Sequence, residues 1–491
     1  MVSLTYSQAQ QLAQSGSYTT IPLSCEILSD MKTPMEVLRI LKNASDHVFM
    51  LESVTGHESQ GRYTFLGFDP KLSIVCRNGQ LRVGDDLVFT DDPNQHIRRI
   101  MAQYVSPAMP DLPPFTGGLV GFMAYDYLKY AEPTLRLVED DADVFNDIDL
   151  MLFDKVIAFD TVRQKIILIA NMQVVSGEEG YEAAVRDLQR MVDLVSFGEP
   201  AADPGLMLKS EFTPLFSKDQ YCTMVEQAKH HIKEGDIFQV VLSNRLEAQM
   251  EGSLLDAYRI LRTVNPSPYM FYFSGTDLEV AGASPETLVK LENGVLHTFP
   301  LAGTRPRGKT PAEDQALETE LLADAKELSE HNMLVDLGRN DIGKVSAFGT
   351  VEVEEYCQVH RYSHVMHIGS TVAGRIAEGK DALDAISAIL PAGTLSGAPK
   401  IRACQIINQL EGDKRGIYGG GIGYFDMKGN MDMCIAIRIA YRQGNRVFVR
   451  SGAGIVADSV PESEFQECLN KAAAVVTSIK QAEGLAKGQV R

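Results

Sequence analysis

KELSEHNMLVDLGRND, residues 326–341, combines two carboxylates with a helical pattern that turns apolar. Apolar residues at helical spacing define one face of this helix and of the turn before it: Leu321, Leu322, Ala325 and Leu328. Glu327 and Glu330 then fall together on the opposite face. Three further apolar residues lie on the side of the two glutamates: Met333, Leu334 and Leu337. Two interpretations of the pair are open: a solvated polar face, which is the default for two glutamates at this spacing, or a helix that enters the interior after Glu330, where a carboxylate pair needs a partner.

A second E-x-x-E pair lies on the helix predicted near the end of the sequence. Its apolar stripe consists of Phe465, Leu469, Ala472, Val476 and Ile479. Glu464, Glu467 and Lys471 lie on the other face. Two interpretations are open: a solvated face with an ordinary i, i+4 ion pair between Glu467 and Lys471, or two carboxylate faces that meet around a cation. Because every donor would be an oxygen, the second interpretation predicts Mg²⁺.

The composition is that of a globular protein, with 45% hydrophobic and 23% charged residues among 491, a length that predicts two domains. No apolar run approaches the roughly 18 residues of a membrane span, and the N-terminal segment lacks the apolar core of a signal peptide. Seven scattered cysteines without a C-x-x-C pair predict reduced thiols. The net charge of −19 disfavours a nucleic-acid partner. We expect a cytoplasmic protein that binds neither membrane nor nucleic acid.

Apolar runs bounded by Gly, Pro or Asp predict strands in both halves of the chain. These runs are HVFMLES, RYTFLGF, IDLMLFDKVIAFD, KIILIANMQV, IFQVVLSNR, YMFYFS, VMHIGSTV, MCIAIRIAY and RVFVRSG. Helices are predicted over residues 180–194 and 221–232. Without regular crossover helices, the pattern favours an α+β fold: large antiparallel or mixed sheets in a sandwich, with helices packed outside. The Pro- and Gly-rich segment 196–214 places a boundary near residue 205 between two intimately associated domains, residues 1–205 and 206–491.

Two motif types that invite other functions do not fit. PAGTLSGAPK (391–400) lacks the spacing of a phosphate loop, and GGGIG (419–423) does not fit the dinucleotide-binding pattern. His360, His364 and His367 resemble a metal cluster, but a strand through VMHIGSTV would point His364 and His367 to opposite faces. The sequence therefore predicts neither a dinucleotide site nor a histidine metal site.

Nine segments, in order from about residue 217 to 480, resemble the chorismate-utilising enzymes. They are GDIFQVVLSNR, NPSPYMFY, AGASPET, PLAGTRPRG, ELSEHNMLVDLGRNDIG, PAGTLSGAPK, YGGGIGY, CIAIRIA and SGAGIVADSVPESEFQECLNKA. Within the family the resemblance is greatest to the members that form anthranilate. Residues 50–70, MLESVTGHESQGRYTFLGFDP, are similar to the tryptophan-sensing segment of those members, with Met50 where leucine is usual.

The resemblance implies which residues hold metal and substrate. Glu330 and Glu467 match the ligands of Mg²⁺, and Glu327 and Glu464 match the partners of its bound water. Mg²⁺ would anchor the ring carboxylate of chorismate. The residues matched to the rest of the substrate are Gly303, Thr304, Tyr418, Arg438, Gly452, Ala453, Gly454 and Lys471.

The resemblance also implies the catalytic residues. Glu286 matches the general acid, which would protonate the departing C4 hydroxyl as ammonia adds at C2, and this role requires a raised pKa for its carboxyl. His367 and Thr394 match residues near the enolpyruvyl group, which leaves as pyruvate. The expected reaction is that of a Mg²⁺-dependent lyase in tryptophan biosynthesis.

Two positions separate this chain from other members of the family. Isochorismate and salicylate synthases carry a lysine base where this sequence has Gln239, and aminodeoxychorismate synthases carry a lysine nucleophile where it has Ala302. Without either lysine, ammonia is the expected nucleophile. Since the chain has no G-x-C-x-G-x-Q motif, the resemblance implies a hetero-oligomer with a glutamine amidotransferase subunit. The alternatives are an enzyme that stops at an amino intermediate, an aminodeoxychorismate synthase, and a non-catalytic sensor of chorismate or tryptophan.

The resemblance finally implies feedback inhibition by tryptophan. Ser53, Pro268, Tyr269 and Met270 match the tryptophan site, which in the family lies between the two domains. Bound tryptophan slows catalysis only when it prefers one arrangement of the protein.

Overall fold

The computed structural model describes residues 2–53, 61–137, 145–202, 205–275, 278–361 and 365–486. Within these ranges the α-helices are α1 (Tyr6–Gln14), α2 (Pro34–Ala44), α3 (Pro93–Met101), α4 (Leu128–Ala131), α5 (Gly177–Phe197), α6 (Lys218–Lys233), α7 (Leu255–Val264), α8 (Pro311–Ala323), α9 (Ala325–Gly343), α10 (Ala382–Ile389), α11 (Lys400–Glu411) and α12 (Pro461–Ala486). Short 3₁₀ turns cover Tyr125–Tyr127, Val174–Ser176 and Gly393–Leu395.

The strands before residue 205 are β1 (Thr20–Leu28), β2 (Val48–Glu52), β3 (Tyr63–Phe68), β4 (Leu72–Arg77), β5 (Gln80–Val83), β6 (Asp86–Phe89), β7 (Gly118–Met123), β8 (Ile148–Phe153), β9 (Lys155–Asp160) and β10 (Lys165–Gln173). Those after it are β11 (Met207–Leu208), β12 (Thr213–Pro214), β13 (Gln239–Glu251), β14 (Tyr269–Ser274), β15 (Leu278–Ser284), β16 (Thr287–Glu292), β17 (Val295–Thr298), β18 (Leu301–Pro306), β19 (Glu352–Arg361), β20 (Val365–Arg375), β21 (Gly397–Ala398), β22 (Gly421–Asp426), β23 (Met431–Ile435), β24 (Ile439–Gln443) and β25 (Arg446–Ile455).

These strands form two large antiparallel sheets. Sheet A has the order β1-β10-β9-β3-β2-β14-β15-β24-β25-β13-β11, and sheet B has the order β18-β20-β17-β16-β23-β22-β7-β8-β4-β5-β6. The join in sheet A pairs β2 with β14, and the join in sheet B pairs β7 with β22. Each sheet therefore contains strands from both sides of residue 205, so the two predicted domains share both sheets.

The core is layered as the sequence predicted. Aromatic side chains such as Phe49, Phe153 and Phe271 fill the space between the sheets. The outer side of sheet A packs against helices that include α5, α7 and α12, and that of sheet B against helices that include α10. The prediction of an α+β sandwich with helices outside is confirmed. None of the helices in the described ranges combines the length and apolar character needed to traverse a bilayer.

Three local predictions were wrong in detail. The helix pattern around residue 324 is broken, because the Asp324 side chain accepts hydrogen bonds from the amides of Lys326 and Glu327 and starts α9 afresh. Leu322 is exposed and only Leu321 of that turn is fully buried. On α12 the stripe is slightly rotated, since Val475 is buried and Val476 only half-buried.

The third correction concerns MCIAIRIAY, which is two strands and not one. β23 belongs to sheet B and β24 to sheet A, so the chain crosses between the sheets at residues 436–438. Arg438 takes the left-handed backbone conformation there, with φ of 53°. That conformation is uncommon for a residue with a side chain and is typical of functional sites.

Candidate active site

Two crossings between the sheets run side by side and present the central charged residues. Pro285 and Glu286 connect β15 of sheet A to β16 of sheet B, beside the crossing at 436–438. The amide of Ile435 donates to the carbonyl of Glu286 at 3.0 Å, and the amide of Ala283 donates to the carbonyl of Arg438 at 3.2 Å. Glu286 and Arg438 are thus held by backbone hydrogen bonds at the same end of the sandwich.

The carboxyl of Glu286 lies in a low-dielectric environment. Burial raises its pKa to about 7, although a hydrogen bond from Thr394 and the charges of Arg438 and Lys471 oppose the shift. Thr394 Oγ1 donates to Glu286 Oε1 at 3.2 Å from the 3₁₀ turn Gly393–Leu395. Since burial outweighs the opposing charges, Glu286 carries a proton in a large fraction of molecules near neutral pH.

Arg438 carries a buried positive charge that is only partly compensated by neighbouring groups. Burial lowers its pKa, and the charge of Glu286 only partly offsets that effect. Within the described ranges, no carboxylate lies within 4 Å of its guanidinium. Its charge also lowers the pKa of His367, so Arg438 lies close to both Glu286 and His367. A buried guanidinium of this kind suits a substrate carboxylate.

His367 stands on β20, opposite Thr304 of β18. Its Nδ1 lies 2.9 Å from the carbonyl oxygen of Gly303 and 3.1 Å from Thr304 Oγ1. A carbonyl can only accept, which assigns the proton to Nδ1 and the lone pair to Nε2. Burial lowers the pKa of His367 below its ordinary value, so the neutral imidazole prevails at neutral pH.

The middle of β25 forms one side of the site. Other side chains lie close to the backbone of this strand. A Cβ on Gly452 would lie 2.8 Å from the Tyr418 hydroxyl, and one on Gly454 would lie 2.9 Å from Nε2 of Gln239. Ala453, between the two glycines, points into a buried cluster. Lys471 of α12 donates to the carbonyl of Gly452 at 3.2 Å. Glycine at 452 and 454 therefore leaves room for Tyr418 and Gln239 beside the strand.

The two E-x-x-E faces approach each other. Burial raises the pKa of Glu330, and the charges of Glu327 on its own helix and of Glu467 on α12 add to the shift. The pKa of Glu464 is raised in the same way by burial and by Glu467. Since Glu330 and Glu467 lie 137 positions apart in sequence, their interaction shows that the fold brings these two carboxyls near each other.

Basic residues accompany these carboxylates. Glu467 pairs with Lys471 at 2.6 Å, and Glu327 pairs with Arg305 at 3.2 Å. The charge of Lys471 also lowers the pKa of Glu286, Glu330 and Glu464. This one cation therefore connects the E-x-x-E pairs to the rest of the site. The structure thus brings together the sequence-predicted catalytic, substrate and carboxylate residues.

The number of side chains that converge limits which metal these carboxylates could hold. In the part of the chain that the structure describes, no three His, Cys, Asp or Glu side chains converge as a metal site. Magnesium needs fewer, because it keeps several waters and takes one or two carboxylates together with substrate oxygens. Glu330 of α9 and Glu467 of α12 each supply carboxylate oxygens, and the donor set fits Mg²⁺.

The residues matched to tryptophan lie apart from this site, in a cavity of about 810 Å³ between the two sheets. Ser53, Pro268, Tyr269 and Met270 all line it. The Tyr269 hydroxyl lies 2.9 Å from both Thr287 Oγ1 and Asp432 Oδ1. Because Thr287, which lines the cavity, follows Glu286 in sequence, the cavity wall comes within one residue of the buried carboxyl.

Sequence reasoning missed some of the neighbouring residues. His360 lines the same cavity and stands opposite His367 in the β19–β20 register, whereas His364 lies outside the described residues. A buried ionic network below the site joins Glu411, Arg415 and Arg450. Only the i, i+4 spacing of Glu411 and Arg415 could have signalled it, because Arg450 comes from a distant strand.

Comparison with known proteins agrees on the family and the fold. Residues 46–477 match the family described as chorismate binding enzyme. Anthranilate synthase component 1 of Acetivibrio thermocellus is 43% identical over 477 residues, which cover 95% of this chain and 96% of that protein. The corresponding protein of Acinetobacter calcoaceticus is 44% identical and covers 98% of each chain.

Solved structures agree as well. The crystal structure of anthranilate synthase component I from Streptococcus pneumoniae TIGR4 superposes with a TM-score of 0.76 at 38% identity, over 85% of this chain and 92% of that one. MenF, the menaquinone-specific isochorismate synthase from Escherichia coli, superposes with a TM-score of 0.70 at 21% identity, over 96% of this chain and 99% of that one. The second likeness concerns the fold alone.

Proposed function

The chain belongs to the family of chorismate-binding enzymes, and from this premise we propose that it is the large subunit of an anthranilate synthase. The reaction converts chorismate and ammonia to anthranilate and pyruvate. The observation that carries the proposal is the buried carboxyl of Glu286, with its pKa of about 7, beside the buried guanidinium of Arg438. An acid of this strength and a cation for a carboxylate are what chorismate requires.

Glu286 acts as the general acid of the first step. Its proton goes to the C4 hydroxyl, which leaves with the C–O electron pair as water while both ring double bonds shift, from C1=C2 to C6=C1 and from C5=C6 to C4=C5. Ammonia forms the new C–N bond at C2 and then loses a proton. Thr394 orients the Glu286 carboxyl through its hydrogen bond, and Arg438 binds a substrate carboxylate nearby.

His367 acts in the second step. With its proton on Nδ1, the neutral imidazole has the lone pair of Nε2 for the hydrogen at C2. Loss of that proton breaks the C3–O bond and makes the ring aromatic. The released enolpyruvate becomes pyruvate when its methylene carbon takes up a proton.

Glu330 and Glu467 would hold Mg²⁺, with Glu327 and Glu464 placed to orient its waters. When bound, the ion supplies positive charge for the ring carboxylate of chorismate. Burial and the like charges of Glu327 and Glu467, which raise the pKa of Glu330, support this assignment.

The nucleophile is ammonia, and its source is a glutamine amidotransferase subunit in a hetero-oligomer. Gln239 is buried beside Gly454, where an uncharged amide cannot deprotonate water. Ala302 offers no nucleophile on β18. Ammonia is mostly protonated at neutral pH, so delivery within a complex favours its reactive form.

Tryptophan inhibits the enzyme by binding in the cavity between the sheets. The cavity is large enough for an indole side chain, and Tyr269 and Asp432 supply polar groups inside it. Thr287 lines the cavity next to Glu286 and gives a route by which a ligand biases the active site. Such inhibition fits the first step of tryptophan biosynthesis in the cytoplasm.

The test is an assay of the purified chain with chorismate, Mg²⁺ and ammonium at mildly alkaline pH. We expect anthranilate fluorescence and an equal amount of pyruvate, with Glu286→Gln inactive. Chorismate consumption without anthranilate would contradict the proposal and indicate an enzyme that stops at an amino product. Binding of chorismate without turnover would indicate a sensor.

A further inference from the structure

We infer that Arg415 is a positioning residue for this site, because one buried guanidinium fixes three separate segments that carry substrate-facing groups. The inference rests on the proposed function, since it assigns Arg415 a part in the turnover of chorismate. Arg415 is 1% exposed, so its guanidinium acts through the groups that it contacts inside the protein.

The first two segments are held through their backbone carbonyls. Arg415 Nη1 donates to the carbonyl of Leu395 at 2.7 Å, and Nη2 donates to the carbonyl of Val241 at 2.7 Å. Leu395 follows Thr394, whose hydroxyl donates to Glu286. Val241 pairs across the sheet with Gly454. Arg415 therefore ties the turn that orients the acid to the strand that lies beside Gly454.

The third segment is held through an aromatic ring. The guanidinium carbon lies 5.8 Å from the ring centre of Tyr418 and 4.7 Å from that of Tyr125. Glu411 accepts from Nε at 2.9 Å and from Nη2 at 2.6 Å, which fixes the plane of the fork. Tyr418 is the side chain that approaches Gly452, so its placement also depends on Arg415.

Only arginine can make these contacts together. Its planar fork directs donors at two carbonyls and a carboxylate at once, and its face stacks on the rings. A lysine has a single ammonium centre and would leave at least one buried carbonyl without a donor. The segments that Thr394 and Gly454 belong to would then lose their common anchor.

Arg450 provides a matched comparison. It is also 1% exposed and donates to Glu411 at 3.0 Å. Its other contacts are Ser243 Oγ at 2.8 Å, Asp413 at 2.7 Å and the carbonyl of Lys414 at 2.8 Å. Arg450 thus shares the buried ionic network but bonds neither Leu395 nor Val241.

The test compares Arg415→Lys with Arg450→Lys in the full chain, with the rate of chorismate consumption as readout. We expect kcat/KM to fall about 100-fold in Arg415→Lys and to stay near the wild-type value in Arg450→Lys, although both variants lose thermal stability. In Arg415→Lys the basic limb of the pH profile should also move to higher pH. The reason is that displacement of Thr394 removes a hydrogen bond that lowers the pKa of Glu286.

A second variant serves if Arg415→Lys does not fold. Tyr125→Leu removes the ring beneath the guanidinium and should give a smaller loss with the same displacement of the basic limb. Equal losses in Arg415→Lys and Arg450→Lys, or an unmoved basic limb, would overturn the inference. A wild-type chain that consumes chorismate without forming anthranilate would contradict the proposed function alone, and one that does not consume chorismate would contradict both.

Discussion

Thr394 donates a hydrogen bond from its hydroxyl to Oε1 of Glu286 at 3.2 Å, across 108 positions of sequence. The bond joins the 3₁₀ turn after α10 to the crossing between β15 and β16. It favours the charged carboxylate and therefore opposes the rise in pKa that burial produces. The strength of the proposed acid depends on the balance between these two effects.

Thr394→Val should move the basic limb of the pH profile to higher pH. Without the hydrogen bond the pKa of Glu286 rises above about 7, and an acid loses activity as pH rises through its pKa. The measurement is kcat/KM for chorismate against pH, with free ammonia held constant. Thr298→Val is the matched control. Thr298 lines a small cavity of about 40 Å³ together with Glu286 and Thr394, but its hydroxyl donates to the carbonyl of Leu288. A limb that moves equally in both variants would contradict the assignment.

Glu330→Gln should abolish Mg²⁺ binding and yet raise the melting temperature of the metal-free protein. Burial and the charges of Glu327 and Glu467 raise the pKa of Glu330 in the folded protein. Above that pKa the fold must hold a carboxylate that is more stable in the unfolded chain. A neutral amide removes the repulsion, and we expect a rise of about 1 °C.

Calorimetric titration with Mg²⁺ and thermal melts without it check both effects. Glu462→Gln, an exposed position on the first turn of α12, is the control and should bind Mg²⁺ normally. Unchanged Mg²⁺ affinity in Glu330→Gln would refute the metal assignment.

In the profile of kcat/KM against pH, the loss of activity at low pH (the acid limb) should follow the protonation of His367. Its pKa is lowered by burial and by the charges of Arg438 and His360, so the neutral base is lost only when pH falls below the ordinary range of histidine. His360→Gln removes one lowering charge, which raises the pKa of His367 and moves the acid limb to higher pH. His367→Gln should slow anthranilate formation roughly 100-fold or more. An acid limb that survives in His367→Gln would assign it to another group.

Local patterns in the sequence predicted much of the secondary structure. The helix predicted over residues 180–194 lies within α5, and the one predicted over residues 221–232 lies within α6. These patterns depend on residues three or four apart, which one turn of helix brings together. The order of the strands was not predictable in this way, because β2 pairs with β14 more than 200 positions later.

In the candidate site, too, local patterns were predictable and long-range contacts were not. The two E-x-x-E pairs were visible, but their approach depends on where the sheets and the other helices place α9 and α12, which no local pattern encodes. The crossing at Arg438 was hidden in MCIAIRIAY, because neither Gly nor Pro marks the change of sheet. Asp324 was also missed as a helix start, since the apolar spacing continues through it.

Arg438→Met should weaken chorismate binding while it stabilises the protein. The loss of a charged hydrogen bond to a carboxylate costs about 1.5–3 kcal/mol, which corresponds to a KM raised roughly 10- to 100-fold. Burial lowers the pKa of Arg438, so removal of its buried charge should raise the melting temperature.

Arg442→Met, on β24 just after the crossing that holds Arg438, is the control, and its expected effect on the melting temperature has the opposite sign. Arg442 Nε pairs with the buried carboxylate of Glu279 at 3.1 Å, so its loss should lower the melting temperature and leave KM unchanged. A normal KM in Arg438→Met would exclude Arg438 from substrate binding.

Tyr269→Phe should uncouple tryptophan binding from inhibition. The Tyr269 hydroxyl bonds Thr287, which adjoins Glu286, and Asp432, so it connects the cavity between the sheets to the proposed acid. Phenylalanine retains the ring in the cavity but breaks that connection, and the ratio of uninhibited to inhibited rate should fall about 10-fold, a coupling of roughly 1.4 kcal/mol. Calorimetry measures tryptophan affinity beside the rate assay. Tyr63→Phe, which lines the same cavity from β3, is the control and should retain inhibition. Full inhibition in Tyr269→Phe would show that the coupling runs through other contacts, since a ligand shifts an active site only through interactions that differ between its two states.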